Sequence, residues 1–311
     1  MEAQVVAENL TKIFGEKKAV DQLNLTVNKG EIFGLVGPDG AGKTTTLRML
    51  VSILEPSHGN AWVCGHHTVK DAERIKEKIG YMSQTFGLYQ DLSVAENLQF
   101  YSDIYCVPKK KQKQRMEELL DATGLAPFKK RLAGRLSGGM KQKLALCCAL
   151  VHKPEVLFLD EPTNGVDPVS RRDFWRILYT LLSEGVTIIF STAYLDEAER
   201  CSHIALLHEG KLLAEGTPQE VKGLFKKSIL EVTTSSSRNA VEILRKEGFE
   251  NLSIFGEKVH IFTESPKQAA AKAREILQAS GEEIVSIKAI EPSLEDVFLS
   301  VLTEKGDSSH G

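Results

Sequence analysis

Residues Gly37-Pro38-Asp39-Gly40-Ala41-Gly42-Lys43-Thr44 satisfy G-x-x-x-x-G-K-[ST] at every fixed position, with Thr45 directly after. This is the chemistry of a phosphate cradle. Glycines let successive backbone N–H groups turn toward phosphate oxygens, where a Cβ would obstruct approach. Lys43 has the reach for the β- and γ-phosphates of a nucleoside triphosphate, and the Thr44 hydroxyl suits Mg²⁺. A second group is the acid pair Asp160-Glu161, which closes the apolar run Val156-Leu157-Phe158-Leu159. Asp160 suits Mg²⁺ through water, and Glu161 suits either polarising an attacking water or a structural ion pair. A third is Ser137-Gly138-Gly139-Met140-Lys141-Gln142, where Ser137 is a good helix N-cap. A plain cap would not call for two glycines, each unfavourable in a helix by about 1 kcal/mol. The bare N–H groups that they leave form an anion site.

The elements around these residues place them. Glu31 to Val36 reads as a short buried strand, and the residues from Thr45 to Ile53 as a helix, so the loop sits in a strand–loop–helix context. The run ending at Asp160 suits a central parallel strand buried on both faces. Acids at its carboxyl end stand where open α/β sheets hold their ligands. Val186 to Thr192 reads as a second buried strand, followed by Ala193 and an acidic helix around Asp196, Glu197 and Glu199. Gln84 ends another short strand, Ile79 to Gln84. Residues Ala3 to Val27 read as antiparallel strands broken by Gly15. Phe14 before that glycine either joins the core or stacks on a nucleobase. Glu55 to Asn60 reads as a turn, Ala61 to Cys64 as a strand and Asp71 to Lys78 as a helix. His66 and His67 diverge in direction and have no second pair of ligands in view.

From Ser93 to Val151 the pattern is helical. The basic stretches Lys109 to Arg115 and Lys129 to Arg131 are either solvated helix ends or a face for anionic lipid headgroups. Pro162 to Pro168 reads as a loop and Arg171 to Leu182 as a helix, and Thr217-Pro218-Gln219-Glu220 as a capped helix start closing the first domain. Beyond Lys227 the order is β-α-β-β-α-β, the ferredoxin-like plan, with a last helix at Leu294 to Leu302 and a polar, disordered tail from Asp307.

Composition excludes several classes. A net charge of −3 over 311 residues gives no basis for wholesale nucleic-acid binding. No run approaches eighteen apolar residues, and the N-terminus lacks the regions of a signal peptide. The five cysteines show no metal-ligand spacing and read as reduced thiols.

Taken in order, the phosphate loop, Gln84, Leu136 to Gln142, Asp160-Glu161 and Asp167 resemble the motifs of ABC-type ATPases over residues 3 to about 225. Glu291-Pro292-Ser293-Leu294-Glu295-Asp296-Val297-Phe298 resembles the extension of daunorubicin-resistance-type exporter ATPases. Tyr194 to Cys201 is similar to a bacterial multidrug exporter subgroup. The resemblance implies an α/β P-loop NTPase of the ABC type over 1–226: a mixed central sheet, an antiparallel β part and a helical subdomain at about 92–153. A ferredoxin-like α+β accessory domain follows at 227–303, then a tail at 304–311.

It further implies ATP and Mg²⁺ as cofactors, with Thr44, Gln84 and Asp160 toward the metal and Glu161 catalytic. Phe14 matches the aromatic that stacks on adenine. Ser137, Gly138, Gly139, Met140 and Gln142 would contact the γ-phosphate held by a second ABC ATPase subunit, with Asp167 in a dimer loop. The implied whole is an ATPase dimer on the cytoplasmic face of a separate integral membrane permease, powering export. Two positions depart from the pattern. Asp39 stands where Asn is frequent. Ala193 stands where the family has a histidine that contacts the γ-phosphate, and methyl can neither donate a hydrogen bond nor carry charge. Two other functions stay open: a slow or non-hydrolysing partner in an asymmetric heterodimer, and a soluble ATP-gated switch without a permease.

Overall fold

The computed structural model describes residues 2–85, 87–224, 228–249 and 251–298. The chain divides into two units, Met1–Pro218 and Gln219–Gly311. The first begins with β1 (Ala3–Phe14), β2 (Lys17–Asn28), β3 (Ile32–Val36), α1 (Lys43–Leu50), β4 (His58–Val63) and β5 (His66–His67). It continues through α2 (Ala72–Lys78), β6 (Ile79–Met82), α3 (Val94–Ile104), α4 (Lys109–Thr123) and α5 (Gly138–Leu150). It closes with β7 (Val156–Asp160), α6 (Pro168–Ser183), β8 (Thr187–Thr192), α7 (Leu195–Ala198), β9 (His203–His208) and β10 (Lys211–Gly216).

Two sheets hold this unit together. The first has the order β10-β9-β3-β8-β7-β6, parallel from β9 to β6 with β10 antiparallel at one edge. Every residue of β3, β7 and β8 is buried, as suits strands covered on both faces, with Asp160, Thr187, Ser191 and Thr192 the polar members. The second is antiparallel, β2-β1-β4-β5. Leu10, Leu23 and Val63 from it share one core with Leu47 and Leu50 of α1 and Phe33 and Phe158 of the parallel sheet. That core fixes the loop between β3 and α1 over the carboxyl ends of the parallel strands. The fold is an α/β P-loop arrangement.

Three local readings need correction. The turn predicted at Glu55–Asn60 ends early, because His58, Gly59 and Asn60 already belong to β4 and pair with β1 at Thr11 and Glu8. The helix predicted from Arg171 starts at Pro168. Asp167 Oδ1 accepts hydrogen bonds from the backbone N–H of Val169 (3.1 Å) and Ser170 (2.9 Å), so it is the N-cap, with proline in the first turn where its missing N–H costs nothing. The acidic helix after Ala193 is only the single turn α7, and Glu197 in it is fully buried.

His67 is a structural histidine. Its Nδ1 accepts from the Val69 N–H at 3.2 Å, its Nε2 lies 3.1 Å from Asn60 Oδ1, and its ring meets Trp62 edge-on. The basic stretch Lys109–Arg115 forms the first turns of α4, with Gln112 buried and the Arg115 guanidinium donating to the Leu150 carbonyl at 3.0 Å.

The second unit contains α8 (Pro218–Gly223, which begins at the division), β11 (Ser228–Thr234), α9 (Ser237–Lys246), β12 (Leu252–Phe255), β13 (Lys258–Thr263), α10 (Pro266–Ala279) and β14 (Ile284–Ile290). Its sheet order β12-β13-β11-β14, antiparallel throughout, is the ferredoxin-like arrangement. Leu230, Val232, Val259 and Ile261 on one face pack against Ala240, Leu244, Ala273 and Leu277 of the two helices. Residues 294–298 are helical, while 299–302 of the predicted last helix, the tail and the predicted boundary at 226–227 lie outside the described residues.

Candidate functional site

At the tip of the parallel sheet, the loop from β3 closes into α1 through Gly42. Its φ of 101° is left-handed, and a Cβ there would collide with the Ala19 carbonyl. Only glycine fits this position. The buried Lys43 ammonium folds back over the loop and donates to the carbonyls of Gly37 (2.7 Å) and Pro38 (3.0 Å). It also pairs with Glu161 Oε1 at 3.0 Å.

Glu161 follows the end of β7 with φ 49°, a backbone conformation that side chains rarely adopt. Ser191 holds it there: its carbonyl and its hydroxyl both accept from the Glu161 N–H, at 3.2 and 3.0 Å. The other carboxylate oxygen accepts from Gln84 Nε2 at 3.0 Å and Asn164 Nδ2 at 3.4 Å. The strained backbone thus aims one carboxylate at the phosphate-loop lysine and at Gln84 together.

Asp160 is fully buried. Its Oδ1 accepts from the hydroxyls of Thr44 (3.0 Å) and Ser191 (2.9 Å). Burial pushes its carboxyl above the usual range, against the pull of those two hydroxyls. Its Oδ2 is buried and has no hydrogen-bond partner among the described residues. A buried acceptor-only oxygen left bare beside a hydroxyl fits a hard divalent cation with oxygen ligands. Gln84, by contrast, is turned to Glu161 rather than to Asp160.

A cleft of about 420 Å³ opens over these groups, lined by Phe14, Asp39, Gly40, Gly42, Lys43, Thr44, Thr45, Gln84 and Glu161, and by Lys17 and Ala19. Phe14 is half exposed at the end of a β1–β2 hairpin, paired with Lys17 across the turn, with the Lys12 ammonium 5.3 Å from its ring centre. An aromatic this exposed at a cleft rim is free to stack on a ligand ring. Beside the cleft, Ala193 borders a hollow of about 130 Å³ that also touches Asp39, Glu161, Asn164 and Tyr194.

Ser137, Gly138, Gly139, Met140 and Gln142 do not line this cleft. Ser137 Oγ accepts from the Met140 N–H at 3.3 Å and caps α5, with Ser137 and Gly138 exposed. Gly139 is buried against Ser170 of α6, where a Cβ would collide with the serine side chain. Asp167 caps that same helix α6, so the two segments adjoin.

Sequence reasoning missed four contributors. Lys17 and Ala19 carry no motif and reach the cleft only through the hairpin. Ser191 read only as part of a buried strand, yet it braces both acids. Glu197 read only as one acid of the short acidic helix. It accepts from Thr163 Oγ1 (2.6 Å) and Thr192 Oγ1 (2.7 Å), and lies 3.5 Å from both Trp175 Nε1 and Arg171 Nε. It ties the loop after β7 to the end of β8.

Residues 20–164 match the ABC transporter family model, and residues 216–302 match that of the DrrA1-3-like ATP-binding protein C-terminal domain. The bacitracin transport ATP-binding protein BcrA of Bacillus licheniformis is 35% identical over 97% of this chain and 98% of its own length. The chain belongs to the ABC transporter ATP-binding family. The daunorubicin/doxorubicin resistance ATP-binding protein DrrA of Streptomyces peucetius is 32% identical over 97% of this chain and 93% of its own. The probable multidrug ABC transporter ATP-binding protein YbhF of Escherichia coli is 41% identical over 99% of this chain, which spans only 53% of YbhF. Among solved structures, cbiO1 of Clostridium perfringens, part of the ABC transporter complex cbiONQ, matches with TM-score 0.66 and 27% identity. The match covers 72% of this chain and 92% of that one. A dimeric post-hydrolysis ATP-binding cassette, MJ0796 bound to ADP and Pi, matches with TM-score 0.63 and 26% identity over 68% of this chain and 98% of that one. No helix among the described residues is long and apolar enough to cross a membrane.

Proposed function

We propose that this chain binds and hydrolyses ATP, pairs with a second ABC ATPase subunit around the nucleotide, and powers export by a separate integral membrane permease. The observation that carries the reading is the buried contact of Lys43 with Glu161, beside an Asp160 whose second oxygen has no partner. The glycine loop and Lys43 would hold the β- and γ-phosphates, and Phe14 would stack on the base. Mg²⁺, when bound at Thr44 and Asp160 with Gln84 nearby, would neutralise developing phosphate charge. Glu161 would orient and polarise the attacking water, its carboxylate released from Lys43 as the phosphates take over the ammonium. Ser137 to Gly139, with Met140 and Gln142, would close over the γ-phosphate of the opposite subunit, with Asp167 lining the contact between copies. Their absence from the chain's own cleft supports that division of labour.

The chain would work on the cytoplasmic face of the membrane, held there by its permease, with no nucleic-acid partner. The names of BcrA, DrrA and YbhF favour an antibiotic-type cargo. The working domains would be 1–226 and 227–303, with a helical subdomain at about 92–153. Co-purification of the chain with a multi-span membrane protein, and drug efflux that depends on Lys43, test this reading. A fully soluble chain whose loss leaves efflux unchanged would favour the ATP-gated switch.

A second reading rests on Ala193. With only a methyl at the hollow beside Glu161, this chain's own site would turn over slowly while its Ser137 helix completes the site of a different partner ATPase. Replacing a positioned acid–base group by methyl costs on the order of 10²–10⁴ in rate. Ala193→His should then raise turnover at least about tenfold, with Glu161→Gln as the inactive control. A wild-type rate matching histidine-bearing relatives, with no gain from Ala193→His, would remove this second reading.

A further inference from the structure

Behind Asp160 stands a side chain with no role in the mechanism above. Strands β6 and β7 pair Tyr81 with Phe158. Side chains two residues apart share a face, so Tyr81, Phe158 and Asp160 all project toward the α1 side of the sheet. The Tyr81 ring packs into the core that contains Phe158, Leu47 and Leu50. On α1, Arg48 lies one turn beyond Thr44, on the same face as the hydroxyl that donates to Asp160.

Tyr81 Oη and Asp160 Oδ2 are both buried, and neither has a hydrogen-bond partner among the described residues. One can donate, and the other can only accept. Opposite Phe158, the long Tyr81 side chain is within diagonal reach of Asp160 two residues on; burial pushes the phenol pKa up, the Asp160 carboxylate adds to that, and the Arg48 guanidinium opposes it. Two bare buried oxygens on diagonal neighbours of one sheet face are costly unless something joins them.

We infer that the Tyr81 hydroxyl, with Arg48 beside it, is the positioning group that orients the free oxygen of Asp160 for a divalent cation. This rests on the reading that the cleft holds nucleotide with a cation at Thr44 and Asp160. Tyr81 touches neither cation nor phosphate and acts only through the carboxylate. Groups in this relation to a metal ligand typically change metal affinity by about 10- to 100-fold when removed. The core packing of the ring and the polar task of its hydroxyl are separable, because Tyr81→Phe keeps the first and deletes the second.

The test uses Mn²⁺ as probe, its free signal followed by electron paramagnetic resonance in the presence of ADP, on the full chain. Wild type, Tyr81→Phe and Asp160→Asn are compared, with ADP affinity in EDTA measured in parallel. The expected result is an about tenfold weaker Mn²⁺ affinity in Tyr81→Phe, with metal-free ADP binding unchanged. Equal Mn²⁺ affinity in wild type and Tyr81→Phe overturns the inference, and so does a matching loss of ADP affinity in EDTA, which marks a packing defect. A wild type that takes up no Mn²⁺ with ADP, or an Asp160→Asn form that binds it unchanged, sinks the reading of the cleft itself.

Discussion

Lys43 Nζ lies 3.0 Å from Glu161 Oε1, with the two side chains 4% and 9% exposed. The same ammonium donates to two loop carbonyls, so all three of its protons are engaged within the protein. A phosphate entering the cleft competes directly with Glu161 for this lysine. On the proposed reading, ligand entry would therefore release the carboxylate.

Glu161→Gln follows from that geometry. The amide keeps the shape and still meets Gln84 and Asn164, but it loses the charge that would polarise water on the proposed reading. Turnover should fall by about 10²–10⁴, while ATP binding is kept because the carboxylate no longer holds Lys43. Parallel measurement of phosphate release and equilibrium ATP binding checks both halves. Loss of binding together with turnover would show that Glu161 serves to build the site.

Glu197 carries a stability prediction. Its buried carboxylate joins Thr163, Thr192, Trp175 and Arg171; Glu197→Ala strands both hydroxyls and takes from Arg171 its buried partner, leaving it Asp196 at 3.8 Å and the Tyr194 ring. Removing one partner of a buried pair costs about 3–5 kcal/mol. Urea unfolding followed by tryptophan fluorescence should show that loss, with Trp175 itself in the affected region. A change within about 0.5 kcal/mol, as for an ordinary surface substitution, would contradict the network.

The second unit should respond to acid through Asp296. Burial raises its carboxyl pKa, but hydrogen bonds from His260 and Ser293 outweigh burial and leave it below the ordinary 3.8. Asp296 Oδ1 lies 3.4 Å from His260 Nδ1, and Oδ2 accepts from the Ser293 N–H (2.8 Å) and hydroxyl (2.6 Å). Glu231, Lys258 and Lys288 complete the charged surroundings. A depressed pKa stabilises the fold above the unfolded value, and that contribution is lost as pH falls through the folded one. Asp296→Asn should therefore lower the melting temperature of this unit by several degrees at pH 7. The gap to wild type should narrow below about pH 3.8. A gap constant from pH 7 to pH 3 would assign Asp296 a role independent of its charge.

Much of this was legible in the chain. The glycine loop, the two acids and the serine cap announce themselves because each needs particular residue types at fixed spacing, and apolar runs announced β3, β7 and Ile188, Ile189 and Phe190 at the centre of β8. The order β-α-β-β-α-β gave the second unit for the same reason. What stayed hidden depends on packing rather than spacing. Glu197 reads as one acid among several on a polar turn until three elements close over it. Ser191 reads as a small residue in a strand until both Asp160 and the Glu161 N–H reach it. Asp167 reads as loop until its carboxylate is seen to satisfy the first N–H groups of α6. Lys17 and Ala19 enter the cleft only because a hairpin folds over the loop.

On the proposed reading the phosphates would join two ATPase subunits, with the glycine loop of one facing Ser137 of the other. The most direct measurement is the mass of the Glu161→Gln chain by light scattering, with and without MgATP, beside a Glu161→Gln form that also carries Ser137→Arg. A dimer should form only with ATP and should fail in the Ser137→Arg form while ATP still binds. A protein that binds ATP yet keeps the mass of one chain, or that pairs equally well with arginine at 137, would contradict it.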